Sequence, residues 1–277
     1  MKKIILAAVF FLFSFLSYAQ DYPFSVTKSG TGKQTLIFIP GFASSGDVWK
    51  ETVGDLKNEY TCHVFTMAGF AGVAPQEDPT FEKWKAAIAQ YIRDEKIIRP
   101  ILIGHSMGGG LALAIAADYP DLVSKIVVVD ALPCLMAVSN PAFKTNSVND
   151  CSGMIDQITN MKEEQFTQMQ KRSIASLTTT NSKWDEIVGW GLQSDRQTFA
   201  KMFCDFSNTD LRERIKKITV PSLILLEPFF KSIDAIKDQY ANLPHAQLKY
   251  AGKGLHFIMF DDATWYLNEL TQFIREK

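Results

Sequence analysis

The chain has 277 residues, 47% of them hydrophobic, and carries 29 Lys and Arg against 30 Asp and Glu, a net charge of −1. That length and composition suit a folded domain with a full core and exclude a low-complexity or disordered chain. The charge balance argues against nucleic acid or an anionic membrane surface as the main partner.

The N-terminus reads as a secretory signal peptide. Met1-Lys2-Lys3 is a basic start, Ile4 to Leu16 is apolar apart from Ser14, and Ser17 and Ala19 are small residues where a signal peptidase reads. Residues 1–19 are therefore expected to be removed, with the cut between Ala19 and Gln20. The apolar run is short of the about 20 residues that span a bilayer comfortably, and an uncleaved anchor is the alternative. No Cys follows the cut, which argues against a lipid anchor, and no later stretch is apolar enough to cross a membrane. The expected product is exported, either periplasmic or secreted. Removing those 19 residues, Lys2 and Lys3 among them, leaves 258 residues with 27 basic and 30 acidic groups, a net charge of −3.

Phe24 to Lys28 reads as a short strand and Gly30 to Lys33 as a turn. Thr35 to Ile39 is an unbroken apolar run, the mark of a strand buried on both faces. It stops at Pro40-Gly41-Phe42, and Ser44 to Asp47 opens a helix over Val48 to Glu59. A strand over Cys62 to Thr66 follows, then a loop through Gly69, Gly72 and Pro75. Thr80 is placed to cap a helix that runs to about Lys96. Ile101 to Ile103 is another buried strand, followed by a small-residue helix through Leu111 to Ala117. Lys125 to Asp130 is a further strand. This β-α-β-α-β-α-β alternation predicts an α/β fold, with a mostly parallel central sheet and helices on both faces.

Residues 133–209 break the rhythm. They hold no convincing strand but have polar helical pieces at Glu163 to Ser176 and Gln197 to Phe206, and Trp184 and Trp190 look exposed. A structureless loop of that length is rare in a compact domain. The segment is read as a helical cap inserted into a core made of 20–132 and 210–277. The sheet resumes at Val220 to Leu226. A helix over Ser232 to Ala241, a last strand at Gln247 to Tyr250, a loop at Gly252 to Gly254 and a closing helix from Trp265 to Arg275 complete it. Among the four cysteines, Cys62 falls in a strand and reads as a buried thiol. Cys134, Cys151 and Cys204 share one region, and a bridge among them suits an oxidising compartment. No Cys-x-x-Cys occurs.

The chemistry centres on Gly104-His105-Ser106-Met107-Gly108, a G-x-S-x-G with a strand before it and a helix after it. The glycines suit a corner too tight for side chains. The corner presents the Ser106 hydroxyl above the sheet, at the positive end of the following helix.

With these elements the chain resembles the α/β-hydrolase superfamily over nearly all of 20–277. The resemblance rests on the 104–108 elbow, the Pro40-Gly41-Phe42 loop, the Val220-Pro221 entry to a late strand and a His after the last strand. It is most similar to small capped esterase, lactonase and peroxidase-type members. Many members have His-Gly where this chain has Pro40-Gly41, a tolerable change because backbone groups act there. The resemblance implies a triad in the order Ser, acid, His.

A serine hydroxyl needs a base, and the base an orienting acid. His63 lies in a strand and reads as structural. The His105 ring is expected to point away from the nucleophile. His245 precedes the last strand, whereas His256 follows it, at the edge where the elbow lies, and is the expected base. For the acid the resemblance expects an Asp shortly after Leu223 to Leu226, but the chain reads Glu227-Pro228-Phe229-Phe230. Asp130, Glu227 and Asp234 compete for the role. Asp130 is favoured because it ends the neighbouring strand, although a strand-end Asp also serves as an ordinary turn cap. An acid-less Ser-His pair is the remaining alternative. The oxyanion hole implied by the resemblance is the N–H of Phe42 and of Met107, each such donor worth about 3 kcal/mol of barrier. The side chains of Phe42 and Met107 are then free to line an acyl pocket.

No cofactor or metal is expected. Asp261-Asp262 and Asp205/Asp210 lack ligand spacing and read as solvated or helix-capping. The expected function is a serine hydrolase that cleaves a carboxylic ester, thioester or lactone through an acyl-enzyme on Ser106. The partner is a partly apolar small-molecule acyl substrate. An acyltransferase or perhydrolase using the same site is an alternative, and a non-catalytic ligand-binding protein of the same fold is another.

Overall fold

A computed structural model describes residues 22–276. The expected signal peptide and its cut lie outside the described residues. Within them, seven strands form one sheet: β1 (Phe24–Ser29), β2 (Thr35–Ile39), β3 (Thr61–Met67), β4 (Ile101–His105), β5 (Lys125–Val129), β6 (Ser222–Leu226) and β7 (Ala246–Tyr250), in the order β1-β3-β2-β4-β5-β6-β7. Only β1 runs antiparallel to its neighbour. The four central strands β2, β4, β5 and β6 are apolar runs with almost every residue buried, because helices cover both faces.

One face carries α2 (Phe81–Asp94) and α3 (Met107–Asp118), and the other α1 (Lys50–Leu56) and α10 (Ala263–Arg275). Thr80 caps α2 as expected, its side chain accepting from the Lys83 N–H. The first helix is shorter than its sequence suggested. A 3-10 turn over Gly46–Trp49, capped by Ser45, precedes α1. The α3 helix is apolar all round, as suits a helix sunk between sheet and surrounding elements.

Between β5 and β6 the described chain has no strand and four α-helices: α4 (Ser152–Thr159), α5 (Glu163–Ala175), α6 (Trp184–Leu192) and α7 (Arg196–Ser207). Helices α4 and α7 pack together, as do α5 and α6. Trp184 and Trp190 are not exposed. Trp190 is 6% exposed and packed in the hydrophobic core, and Trp184 is half-buried with its indole N–H donated to the Thr178 carbonyl at 3.1 Å. The apolar side of α6 turns inward, which its short Gly-interrupted sequence disguises. A disulfide joins Cys151, at the start of α4, to Cys204 in α7, with Cα atoms 5.8 Å apart. Cys62 and Cys134 are buried free thiols, and burial pushes the Cys62 thiol up to about 11. Two short helices, α8 (Asp234–Gln239) and α9 (Ile258–Asp261), flank β7 and the loop after it. No helix of the described residues is long and apolar enough to cross a membrane.

Candidate active site

Ser106 sits between β4 and α3 at φ 52°, ψ −123°, a conformation that is strained for any residue with a Cβ. Two backbone bonds hold it there: its N–H donates to the Val129 carbonyl at 2.9 Å, and its carbonyl accepts from the Gly110 N–H at 3.1 Å. The elbow glycines are required by close approach. A Cβ on Gly104 would fall on the Gly108 carbonyl, and one on Gly108 on the carbonyls of Ile39 and Pro40. Gly108 thus lets the elbow lie against the end of β2, which brings the Gly41-Phe42 backbone beside Ser106. A Cβ on Gly41 would be 3.1 Å from the Ser106 Cβ.

The ends of β5 and β6 supply the next group. Asp130 follows β5 at φ 46°, a left-handed conformation that Asp tolerates. Its own N–H stays in the sheet, donating to the Leu225 carbonyl at 2.8 Å. The side chain is fully buried. One oxygen accepts the Glu227 N–H at 2.7 Å, and the other pairs with His256 Nδ1 at 2.7 Å. Burial pushes the Asp130 carboxyl above its ordinary value, and the hydrogen bond and charge of His256 counter only part of this. Of the three carboxylates weighed from sequence, Asp130 is therefore the one joined to His256. Glu227 gives that carboxylate its backbone N–H and turns its own side chain to the cavity. Burial, then the charge of Asp130, pushes the Glu227 carboxyl up to about 7. Asp234 lies exposed at the start of α8, outside the cavity.

His105 packs against the loop of His256. Its ring lies beside the His256 ring, with centroids 4.6 Å apart, and borders the same cavity. Nε2 donates to the His256 carbonyl at 3.0 Å, and since a carbonyl only accepts, this sets the tautomer. Burial, and then the neighbouring His256, push the His105 imidazole well below its ordinary value, so the ring is neutral. His63 is buried and pairs with the Tyr91 hydroxyl at 2.8 Å, whereas His245 is exposed on a turn.

Ser106, His105, Asp130, Glu227 and His256 all line one cavity of about 570 Å³. Its remaining wall is mainly apolar and comes from the 41–44 loop, the 131–135 segment, Phe230, Phe257 and the α4 to α7 region, which supplies Met154, Met169 and Phe203. Met107 does not line it. That side chain is fully buried in the core beneath the elbow, because α3 enters the fold there. Within 133–209, Phe166 and Trp190 belong to the core instead.

Sequence reading missed a buried carboxylate. Asp261 is not solvated. It accepts from the hydroxyls of Thr178 (2.6 Å) and Thr180 (2.7 Å), and from the N–H groups of Thr179 (3.0 Å), Thr180 (3.0 Å) and Leu255 (2.9 Å). It fastens the turn between α5 and α6 to the loop that carries His256, and the Phe257 N–H reinforces this by donating to the Leu177 carbonyl at 3.1 Å. The only local signal is the run Thr178-Thr179-Thr180, which is rich in donors. Its partner is 81 to 83 residues away.

The arrangement can polarise a hydroxyl. Nδ1 of His256 is held by Asp130, which leaves Nε2 free to take a proton, and Ser106 lines the same cavity. A family model described as "alpha/beta hydrolase fold" matches residues 34–263. A pimeloyl-[acyl-carrier protein] methyl ester esterase of Vibrio atlanticus is 26% identical over 257 residues, covering 90% of this chain and 96% of that protein. Among solved structures, an enol-lactonase from Burkholderia xenovorans superposes with a TM-score of 0.76 at 15% identity, covering 91% of this chain and 96% of the other. A thermophilic esterase from Thermogutta terrifontis does so with a TM-score of 0.75 at 18% identity, covering 91% and 93%. At these identities the structural likeness speaks for the fold alone.

Proposed function

The chain belongs to the alpha/beta hydrolase fold family, and from that premise we propose that it is a carboxylic ester hydrolase working through an acyl-enzyme on Ser106. The observation that carries this reading is the shared cavity, which is lined both by a strained Ser106 and by a His256 paired with a buried Asp130 at 2.7 Å. His256 Nε2 takes the Ser106 proton as Oγ attacks the ester carbonyl. The oxyanion is held by the N–H of Phe42, in the loop after β2, and by that of Met107, at the N-terminus of the 12-residue α3. His256 then returns the proton to the leaving alcohol, and the same base activates water to release the acid. Asp130 fixes the tautomer and orientation of His256 and stabilises its charged form.

Helices α4 to α7, within 133–209, act as a cap that shapes the acyl site and limits water. The apolar wall supports a partly apolar substrate. Support for ester hydrolysis also comes from the methyl ester esterase among the relatives. Export through removal of residues 1–19 belongs to the same reading, and the Cys151–Cys204 bridge supports it, since such bridges persist in oxidising compartments.

The test is labelling by a fluorophosphonate together with p-nitrophenyl ester hydrolysis. Wild-type protein is expected to label and turn over, Ser106→Ala to do neither, and His256→Ala to lose about 10³-fold or more in rate. Wild-type protein that neither labels nor hydrolyses any ester overturns the reading. N-terminal sequencing of protein recovered from the producing cells tests the cut after Ala19.

A further inference from the structure

The cavity has a second polar feature, carried on α5. Phe166, Gln170 and Ile174 stand one turn apart on that helix and are all buried. An apolar side chain suits the middle position. Gln170 is only 5% exposed there. No hydrogen bond joins its carboxamide to another described residue, yet its nitrogen and oxygen are not among the polar atoms sealed from solvent, so they open to the cavity. A carboxamide left without a protein partner on an otherwise apolar helix face is a break with the local pattern, and such breaks concentrate at functional positions. The facing helix is shaped around it. A Cβ on Gly191 of α6 would fall on Gln170 Oε1 and lie 2.9 Å from its Cδ, and a glycine within a helix is itself unfavourable. Gly189 on the same helix has no neighbour nearer than 3.8 Å, so the close approach is particular to the carboxamide. Gln170 and Gly191 both line the cavity that Ser106 and His256 line.

Building on the ester-hydrolase reading, we propose that Gln170 determines specificity and that the substrate is a neutral ester whose chain carries a hydroxyl or amide group bound by the Gln170 carboxamide. A carboxamide offers donors and an acceptor on one group, and is best matched by a group that does the same. The cavity lining contains no Lys or Arg but includes Asp130 and Glu227. A carboxylate or phosphate on the chain would meet no counter-charge there and is disfavoured. A site built to hydrogen-bond a substrate group rejects the analogue that lacks it.

The test uses p-nitrophenyl esters in sets of increasing chain length, each set ending in methyl, hydroxyl, primary amide or carboxylate. At one chain length or more, the hydroxyl or amide ester is expected to exceed the methyl-ended ester in kcat/KM by about tenfold or more, with the carboxylate ester poorest. In Gln170→Met, close in volume but unable to pair, that ratio falls to near unity. It falls likewise in Gly191→Ala, whose methyl group displaces the carboxamide. A structural role alone would not move a ratio between two substrates. Fluorophosphonate labelling of the same preparations separates the two readings. Protein that labels but shows no such preference overturns the Gln170 assignment alone, as does a ratio unchanged in both variants or a preference for the carboxylate ester. Wild-type protein that neither labels nor turns over any ester overturns the hydrolase reading, and this assignment with it.

Discussion

The Nε2–H of His105 donates to the backbone carbonyl of His256 at 3.0 Å, across 151 residues of sequence. The residue before the proposed nucleophile thereby holds the loop of the proposed base. His105→Phe keeps a ring of similar shape but removes the donor. It is expected to cost about 1–3 kcal/mol, the penalty for an unpaired buried carbonyl. Ester hydrolysis should fall mainly in kcat, with KM little changed, because the substrate wall is retained. Urea unfolding and steady-state kinetics check the two expectations.

Asp130→Asn preserves size and replaces the carboxylate that pairs with His256 Nδ1. The amide leaves the imidazole free to take the wrong tautomer and gives its charged form no partner. A fall in kcat of about 10²–10⁴-fold is expected, and fluorophosphonate labelling should slow in parallel. Glu227→Gln and Asp234→Asn should each stay within about tenfold of wild type, since neither side chain pairs with His256.

Glu227 makes stability depend on pH. Its carboxyl is pushed up to about 7 in the folded protein, from an ordinary value of 4.5, by burial and then by the charge of Asp130, with Asp261 adding to this and His256 opposing it. Below pH 4.5 both folded and unfolded chains hold the proton, and the group carries no penalty. As pH rises from there to about 7 the unfolded chain releases the proton first, so the folded state loses stability, and above about 7 the loss is constant. Glu227→Gln removes this penalty. Its stability relative to wild type should grow between pH 4.5 and 7 and then level off, as read from denaturation midpoints across that range.

Asp261→Ala deprives Thr178, Thr179, Thr180 and Leu255 of a common acceptor. Several buried donors lose their partner at once, so a loss of about 3 kcal/mol or more is expected. Burial alone would raise the Asp261 carboxyl, but the hydrogen bonds outweigh it and hold the group below its ordinary value. Its contribution is therefore present above the ordinary carboxylate range and lost as pH falls through the lowered folded value. Acid unfolding should begin at higher pH in wild-type protein than a titration-insensitive fold would show, and Asp261→Ala should flatten that limb. Hydrogen exchange should report faster opening at 177–180 and at 254–257 together.

The framework of this protein is written locally. Apolar runs such as Thr35–Ile39 and Ser222–Leu226 can only be strands buried on both faces, and the corner at Gly104 to Gly108 marks Ser106, because both features depend on residues a few positions apart. The bounds of 133–209 helices were less legible. Helix α6 hides its inward face behind two glycines, and Trp184 and Trp190 therefore look exposed when they are not. What only the tertiary structure decided depends on pairs that are distant in sequence. Asp130, and not Glu227 or Asp234, meets His256 because β5 and β6 lie side by side and end together, so that the Glu227 N–H reaches back to the same carboxylate. Cys204, and not Cys134, reaches Cys151 because α4 packs on α7. Asp261 is buried because a turn 81 residues earlier folds over it. Sequence determines which groups are present and which strand or helix carries them. Hydrogen bonds and burial choose between chemically equivalent groups, and these exist only once the elements have packed.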